Sequence, residues 1–187
     1  MAAGTRDALV QTAESLMRTK GYAAFSYADL AEKVGIKKVS IHHHFPTKED
    51  LGIAIVEEYI SRVRDDFDRI ERQDLNARVR LESFFQMFRA SGEGGMLPLC
   101  GALAAEMSAL PPGLQQLTKR FFDLQLKWLT GILEVGIDRG ELPSGCGARQ
   151  KAFQLLSVLE GSSFINWAVK EGDLLNDGIV RLIVEQT

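Results

Sequence analysis

Residues 21–51 read GYAAFSYADLAEKVGIKKVSIHHHFPTKEDL. Ser26 followed by Asp29 forms a capping box, in which each side chain answers the other's backbone N–H and a helix begins. Thr47 and Asp50 repeat the device directly after Pro46 and open another helix. Between them stands Gly35, at a place where the left-handed backbone of a sharp turn costs glycine nothing. The pattern predicts a short helix from Ser26 to Gly35, a turn, and a second short helix over residues 37–44 closed by the aromatic Phe45.

Two helices meeting at a steep angle make three demands at fixed offsets. A small residue must sit where the second helix crosses the first, and Ala31 is there. Gly35 follows at the turn, and Ile41 supplies the apolar plug between the helices, with Leu30, Val34 and Ile36 completing the buried set. Such offsets alone recur in many helical chains. Joined to two capping boxes, Phe45 and a cluster of cations, they specify a helix-turn-helix. The second helix of that unit lies in the major groove of duplex DNA. Lys37, Lys38 and Ser40 crowd its N-terminal end, where base edges and phosphates are reached. Lysine meets guanine acceptors and serine serves several bases, so neither dictates a sequence. Lys48 opens the following helix, whose exposed N–H groups attract phosphate. With Ser26, Tyr27, His42, His43 and His44, these four complete the candidate DNA-binding residues. Lys33 suits solvent as well as phosphate.

The chain of 187 residues has a net charge of −3, which taken alone argues against nucleic acid. The distribution argues otherwise. Residues 33–48 hold Lys33, Lys37, Lys38 and Lys48 and no acid, whereas residues 51–187 carry 15 basic and 19 acidic residues. A small cationic patch on an acidic remainder suits a DNA reader joined to a domain that does not touch DNA.

The same stretch resembles the DNA-binding signature of TetR-family transcriptional regulators. The matching phrases are Gly21-Tyr22, Asp29-Leu30-Ala31, Gly35-Ile36, His44-Phe45 and Lys48-Glu49. His42 departs from the tyrosine usual in the family; a neutral imidazole is expected still to donate to phosphate. The resemblance covers about the first quarter. Later phrases, CGALAAEMSAL at 100–110 and DRGEL at 138–142, are similar to one branch of the family. The resemblance implies an all-α fold with a three-helix head at residues 1–46 and a ligand-binding and dimerisation domain at 47–187, the junction lying at the fourth helix near Leu51. It further implies a C2 homodimer built on the final helix pair. From this follows the expectation of a repressor on a near-palindromic operator, released by a small, largely apolar ligand.

The remaining sequence supports the all-α reading, with helical periodicity nearly throughout and no sustained period of two. Thr5–Lys20 places Leu9, Ala13, Leu16 and Met17 on one face and stops at Gly21. A long helix over 47–71 carries Leu51, Ile55, Tyr59, Val63, Phe67 and Ile70. Asp74 is the expected cap of the next, which includes Phe84, Phe85 and Phe88 and ends at the glycines of 92–95. A helix over 99–110, closed by Pro111-Pro112, precedes a long stripe of Leu114, Leu117, Phe121, Leu124, Trp128, Ile132 and Val135 that Gly140 stops. Helices over 148–170 and 174–185, parted at Gly172, bring the total to nine. Their apolar residues, among them Phe153, Leu156, Phe164, Trp167, Leu174, Leu175, Leu182 and Val184, cover so much circumference that burial on two sides is expected.

Other side chains have competing readings. Successive helical residues point about 100° apart, so the histidine triplet cannot converge on one metal ion. Cys100, at a helix start, could be a reactive thiol or a small buried apolar residue; Cys146 reads as a loop residue. Phe84, Phe88, Cys100, Phe121, Trp128 and Phe164 are the candidate ligand-binding residues, with core packing as the alternative. Glu106 and Glu160 are lone acids in apolar helices that could contact a ligand, face water or cap a neighbour. No catalytic or cofactor motif is present, so neither an enzyme nor a cofactor is expected. The first residues lack a signal-peptide pattern and no apolar run is long enough to span a bilayer, so the cytoplasm is the expected compartment and no membrane the expected partner.

Overall fold

The computed structural model describes residues 4–73, 76–92, 95–145, 147–170 and 178–185. They form nine α-helices: α1 (Thr5–Lys20), α2 (Tyr27–Val34), α3 (Lys38–His44), α4 (Lys48–Glu71), α5 (Ala77–Ser91), α6 (Leu99–Ala105), α7 (Pro112–Asp138), α8 (Ala148–Val169) and α9 (Gly178–Val184). A single 3-10 turn, Met107–Ala109, separates α6 from α7. No strand occurs among the described residues. Asp74, Leu75, Cys146, Gly172, Leu174 and Leu175 lie outside them.

By packing, the chain forms two compact units, residues 1–61 with 96–121 and residues 62–95 with 122–187. In the first, α1 to α3 and the start of α4 close over Leu9, Val10, Met17, Phe25, Leu30, Ile41 and Leu51, all nearly inaccessible. Residues 96–121 complete this unit. Arg18 Nε on α1 donates to Leu97 O at 2.7 Å in a buried bond, and Leu97 N–H returns one to Arg18 O at 3.3 Å.

In the second unit Phe67, Phe84 and Trp128 pack as a set. The Phe67 and Trp128 rings stack at 4.3 Å, and Phe84 lies 5.8 Å from Trp128. Lys151 is fully buried, and its ammonium donates at 2.9 Å to Pro143 O and to Val184 O at the end of α9. Arg78 and Arg181 pair with Glu185 and Glu82, fastening α9 to α5. Several large apolar side chains on α8 and α9 remain exposed in the single chain: Phe153, Ile165, Trp167, Val169 and Leu182, from 43% exposed at Trp167 to 64% at Leu182.

Three sequence expectations are corrected. The cap of α5 is Asn76, whose side chain accepts from Val79 N–H at 2.9 Å, in place of Asp74; Ala77 N–H is taken by Glu141 Oε2 at 2.6 Å. The helix expected over 99–110 stops at Ala105, because Glu106 N–H closes tightly onto Leu103 O and the 3-10 turn follows. On α7 the buried face includes Thr118, Gln125 and Leu129, and Val135 is 40% exposed. Thr118 Oγ1 donates to Leu114 O at 2.8 Å, which lets a hydroxyl sit in the core.

Candidate nucleic-acid interface

The helix-turn-helix is assembled by local chemistry. Ser26 Oγ accepts from the N–H groups of Ala28 and Asp29, and Asp29 Oδ2 accepts from Ser26 N–H at 2.7 Å and from its hydroxyl at 2.6 Å. These bonds, the hydroxyl's first, hold the Asp29 carboxyl down at about 2. Gly35 takes φ 75° and ψ 31°, and both its N–H and that of Ile36 donate to Ala31 O. Ile41, with no accessible surface, fills the angle as its offset predicted. Thr47 and Asp50 form the second box, with bonds of 2.7 to 3.1 Å.

That framework leaves one face of α3 outward. Lys37 caps the helix through its backbone, and Lys38 is its first residue. Both are exposed, and neither has a carboxylate partner among the described residues. Ser40 is half-buried, while His43 and His44 are exposed. His42 is exposed at its edge but leans on the Tyr27 ring, with centroids 5.0 Å apart. Its Nδ1 lies 3.1 Å from Pro46 O. A carbonyl only accepts, so in this bond Nδ1 is the donor and Nε2 is the nitrogen left to face outward. No His, Cys, Asp or Glu cluster able to hold a metal occurs among the described residues.

The other candidates are engaged by the protein itself. Tyr27 is buried, its hydroxyl donating to Phe45 O at 3.0 Å and Thr47 O at 2.6 Å, and burial first pushes its phenol up to about 12. Ser26 is committed to the cap. Lys48 Nζ donates to Phe25 O at 2.6 Å and lies over the rings of Tyr22 and Phe25 at 4.6 and 4.4 Å. Desolvation lowers its pKa. What Lys48 offers outward is the N-terminal end of α4 rather than an unengaged ammonium.

Val39 is the side chain that sequence reasoning missed. It stands between Lys38 and Ser40 and is 69% exposed. An apolar residue two positions from the plug Ile41 points about 200° away from it on a helix and so faces outward, a signal present in the sequence. The candidate ligand residues do not form one group. Phe84, Phe88 and Trp128 meet in the second unit, Phe121 packs against Tyr59 at 5.4 Å in the first, where Cys100 is also fully buried, and Phe164 is half-buried on α8.

Comparison with known proteins agrees with this geometry. The family described as bacterial regulatory proteins, tetR family, matches residues 9–55. A TetR transcriptional regulator from Legionella pneumophila is 30% identical with a TM-score of 0.86, over 98% of this chain and 97% of that one. A TetR-family regulator from Agrobacterium tumefaciens is 28% identical with a TM-score of 0.85, over 96% and 93%. The HTH-type transcriptional regulator CymR of Pseudomonas putida is 28% identical over 142 residues, 73% of this chain and 70% of that protein. The chain belongs to the TetR family, and is a DNA-binding transcriptional regulator with an N-terminal helix-turn-helix and no enzymatic role.

Proposed function

We propose that this regulator is a homodimeric repressor of a near-palindromic operator, with residues 1–46 as its DNA-binding domain and 47–187 as its ligand-binding and dimerisation domain. The observation that carries the reading is the outward face of α3, where Lys38, Val39 and His43 are exposed around a fully buried Ile41. Lysine supplies phosphate or guanine contacts, and an apolar side chain suits a thymine methyl. Two such helices must lie about one DNA turn apart, roughly 34–36 Å, to enter successive major grooves. The concentration of exposed large apolar side chains on α8 and α9 supports pairing with a second copy, which would take that apolar surface out of water.

The effector is a small, largely apolar molecule held by residues 47–187. The aromatic set around Trp128 supports this reading. So do Gln125 Oε1, Gln154 Oε1 and both oxygens of Glu160, which are buried without a hydrogen-bond partner. Such atoms cost stability that a ligand donor would restore. A coupling of about 1–3 kcal/mol suffices to change operator occupancy 5–150-fold, with α4 carrying the change to the head. Selecting duplexes from a random pool with the purified protein tests the function. The expected product is a two-fold symmetric motif whose retention falls steeply with salt. Recovery of no motif would refute it.

A further inference from the structure

Residues 21–25, which join α1 to the cap of α2, are held by a carboxylate distant in sequence. Tyr22 N–H donates to Glu106 Oε1 at 2.9 Å, and Ala23 N–H donates to Oε2 at 2.8 Å. Each oxygen takes one donor, and charge-assisted bonds of this kind are roughly twice as strong as neutral ones. Gly21 has φ 91°, and a Cβ there would stand 2.1 Å from Oε1, so the carboxylate occupies the space of the missing side chain. Lys48 grips the same loop through its carbonyls, at 2.6 Å from Phe25 O and 3.4 Å from Ala23 O, and the Glu106 charge favours its ammonium. The segment bearing Glu106 is fastened to α1 a second time, by the paired bonds of Arg18 and Leu97.

We propose that Glu106 is a positioning residue for DNA binding: its carboxylate fixes the loop that aims α2 and α3, without touching DNA. The proposal rests on the reading that α3 enters the major groove. Ala23 is three residues from the Ser26 cap, so the loop sets where α2 starts. The Gly35 turn and the Ile41 plug then carry that placement to α3. Residues 96–110 thereby gain a hold on the recognition helix by way of the loop and α2, and their rearrangement changes DNA affinity through Glu106.

The test uses the full chain and the duplex selected by the wild-type protein. Glu106→Ala removes both bonds. Glu106→Gln keeps nearly the same shape but presents one acceptor and one NH2 to two donors, so it retains at most one bond. For each variant, amide exchange, thermal unfolding and the Kd for the duplex are measured, the Kd at a temperature where all the chains are folded. The expected result is exchange at Tyr22 or Ala23 about tenfold faster, with the Gly35 and Phe45 amides as protected as before, and a Kd weakened about tenfold. The slope of log K against log salt should not change, because no phosphate contact is lost. If Glu106→Ala fails to fold, Glu106→Gln decides alone. A folded variant with faster exchange and a wild-type Kd makes Glu106 merely structural and overturns the proposal, as does unchanged exchange at both amides. A wild-type chain that retains no duplex overturns the DNA-binding reading itself, and this proposal with it.

Discussion

Lys38 and Val39 are neighbours on α3 with different tasks. Lys38 is a point charge at the helix start, so its replacement by alanine should weaken binding to every duplex alike. The salt slope should fall by about 0.9 if one phosphate contact is lost; an unchanged slope would place the lysine off the backbone. Val39 has no charge and can report only on shape and methyl groups. Replacing each thymine of the selected duplex in turn with deoxyuridine should weaken wild-type binding several-fold at one position per half-site. Val39→Ala should abolish that difference, and equal sensitivity in both proteins would exclude the contact. Glu160 makes a prediction of another kind. Burial pushes its carboxyl up to about 7. A raised carboxyl means that the folded chain binds a proton the unfolded chain has released, so stability falls as pH rises from the ordinary glutamate value to about 7. Glu160→Gln should therefore stabilise the protein at pH 8, by roughly 3 kcal/mol at most, and do little at pH 4. Urea melts at the two pH values check the sign, and an equal effect at both would contradict it.

At the scale of elements, what could be read from the sequence was what is built locally. Ser26 with Asp29, and Thr47 with Asp50, satisfy each other within four residues, so α2 and α4 begin where those pairs predict. Asp74 and Asn76 are equally good caps in isolation. The start at Ala77 is favoured by the bond from its N–H to Glu141, 64 residues away. Glu106 shows the same limit: a lone acid in an apolar stretch, it finds its partners at Tyr22 and Ala23, 84 and 83 residues away, and α6 ends beside it. The candidate DNA-binding residues divide on the same principle. Outward Lys38 and His43 followed from helix geometry, whereas the inward turn of Lys48 depends on where the rings of Tyr22 and Phe25 pack. Lys151 was not singled out, for nothing near it in sequence shows that it joins α8 to the end of α9. Lys151→Ala should cost about 3 kcal/mol, since it opens a cavity and strips two carbonyls of their donor. Lys151→Met fills the volume and should cost less. Equal and negligible losses in urea melts would show the ammonium to be dispensable.

At the scale of the whole molecule, the proposed reading of a near-palindromic operator requires two copies. Trp167 and Leu182 stand among the apolar side chains that the single chain leaves bare. Changing both to glutamate should give a monomer by sedimentation, with helix content retained and with loss of the preference for symmetric over single half-sites. A double variant that stays dimeric would move the interface elsewhere. Everything then turns on whether α3 enters the major groove, which methylation interference on the selected duplex tests directly. Dimethyl sulfate marks guanine N7 in the major groove and adenine N3 in the minor groove in one experiment. If α3 enters the major groove of both half-sites, interference comes from guanine N7 in two clusters about one helical turn apart. Interference confined to adenine N3, or a single cluster without a symmetry mate, would contradict it.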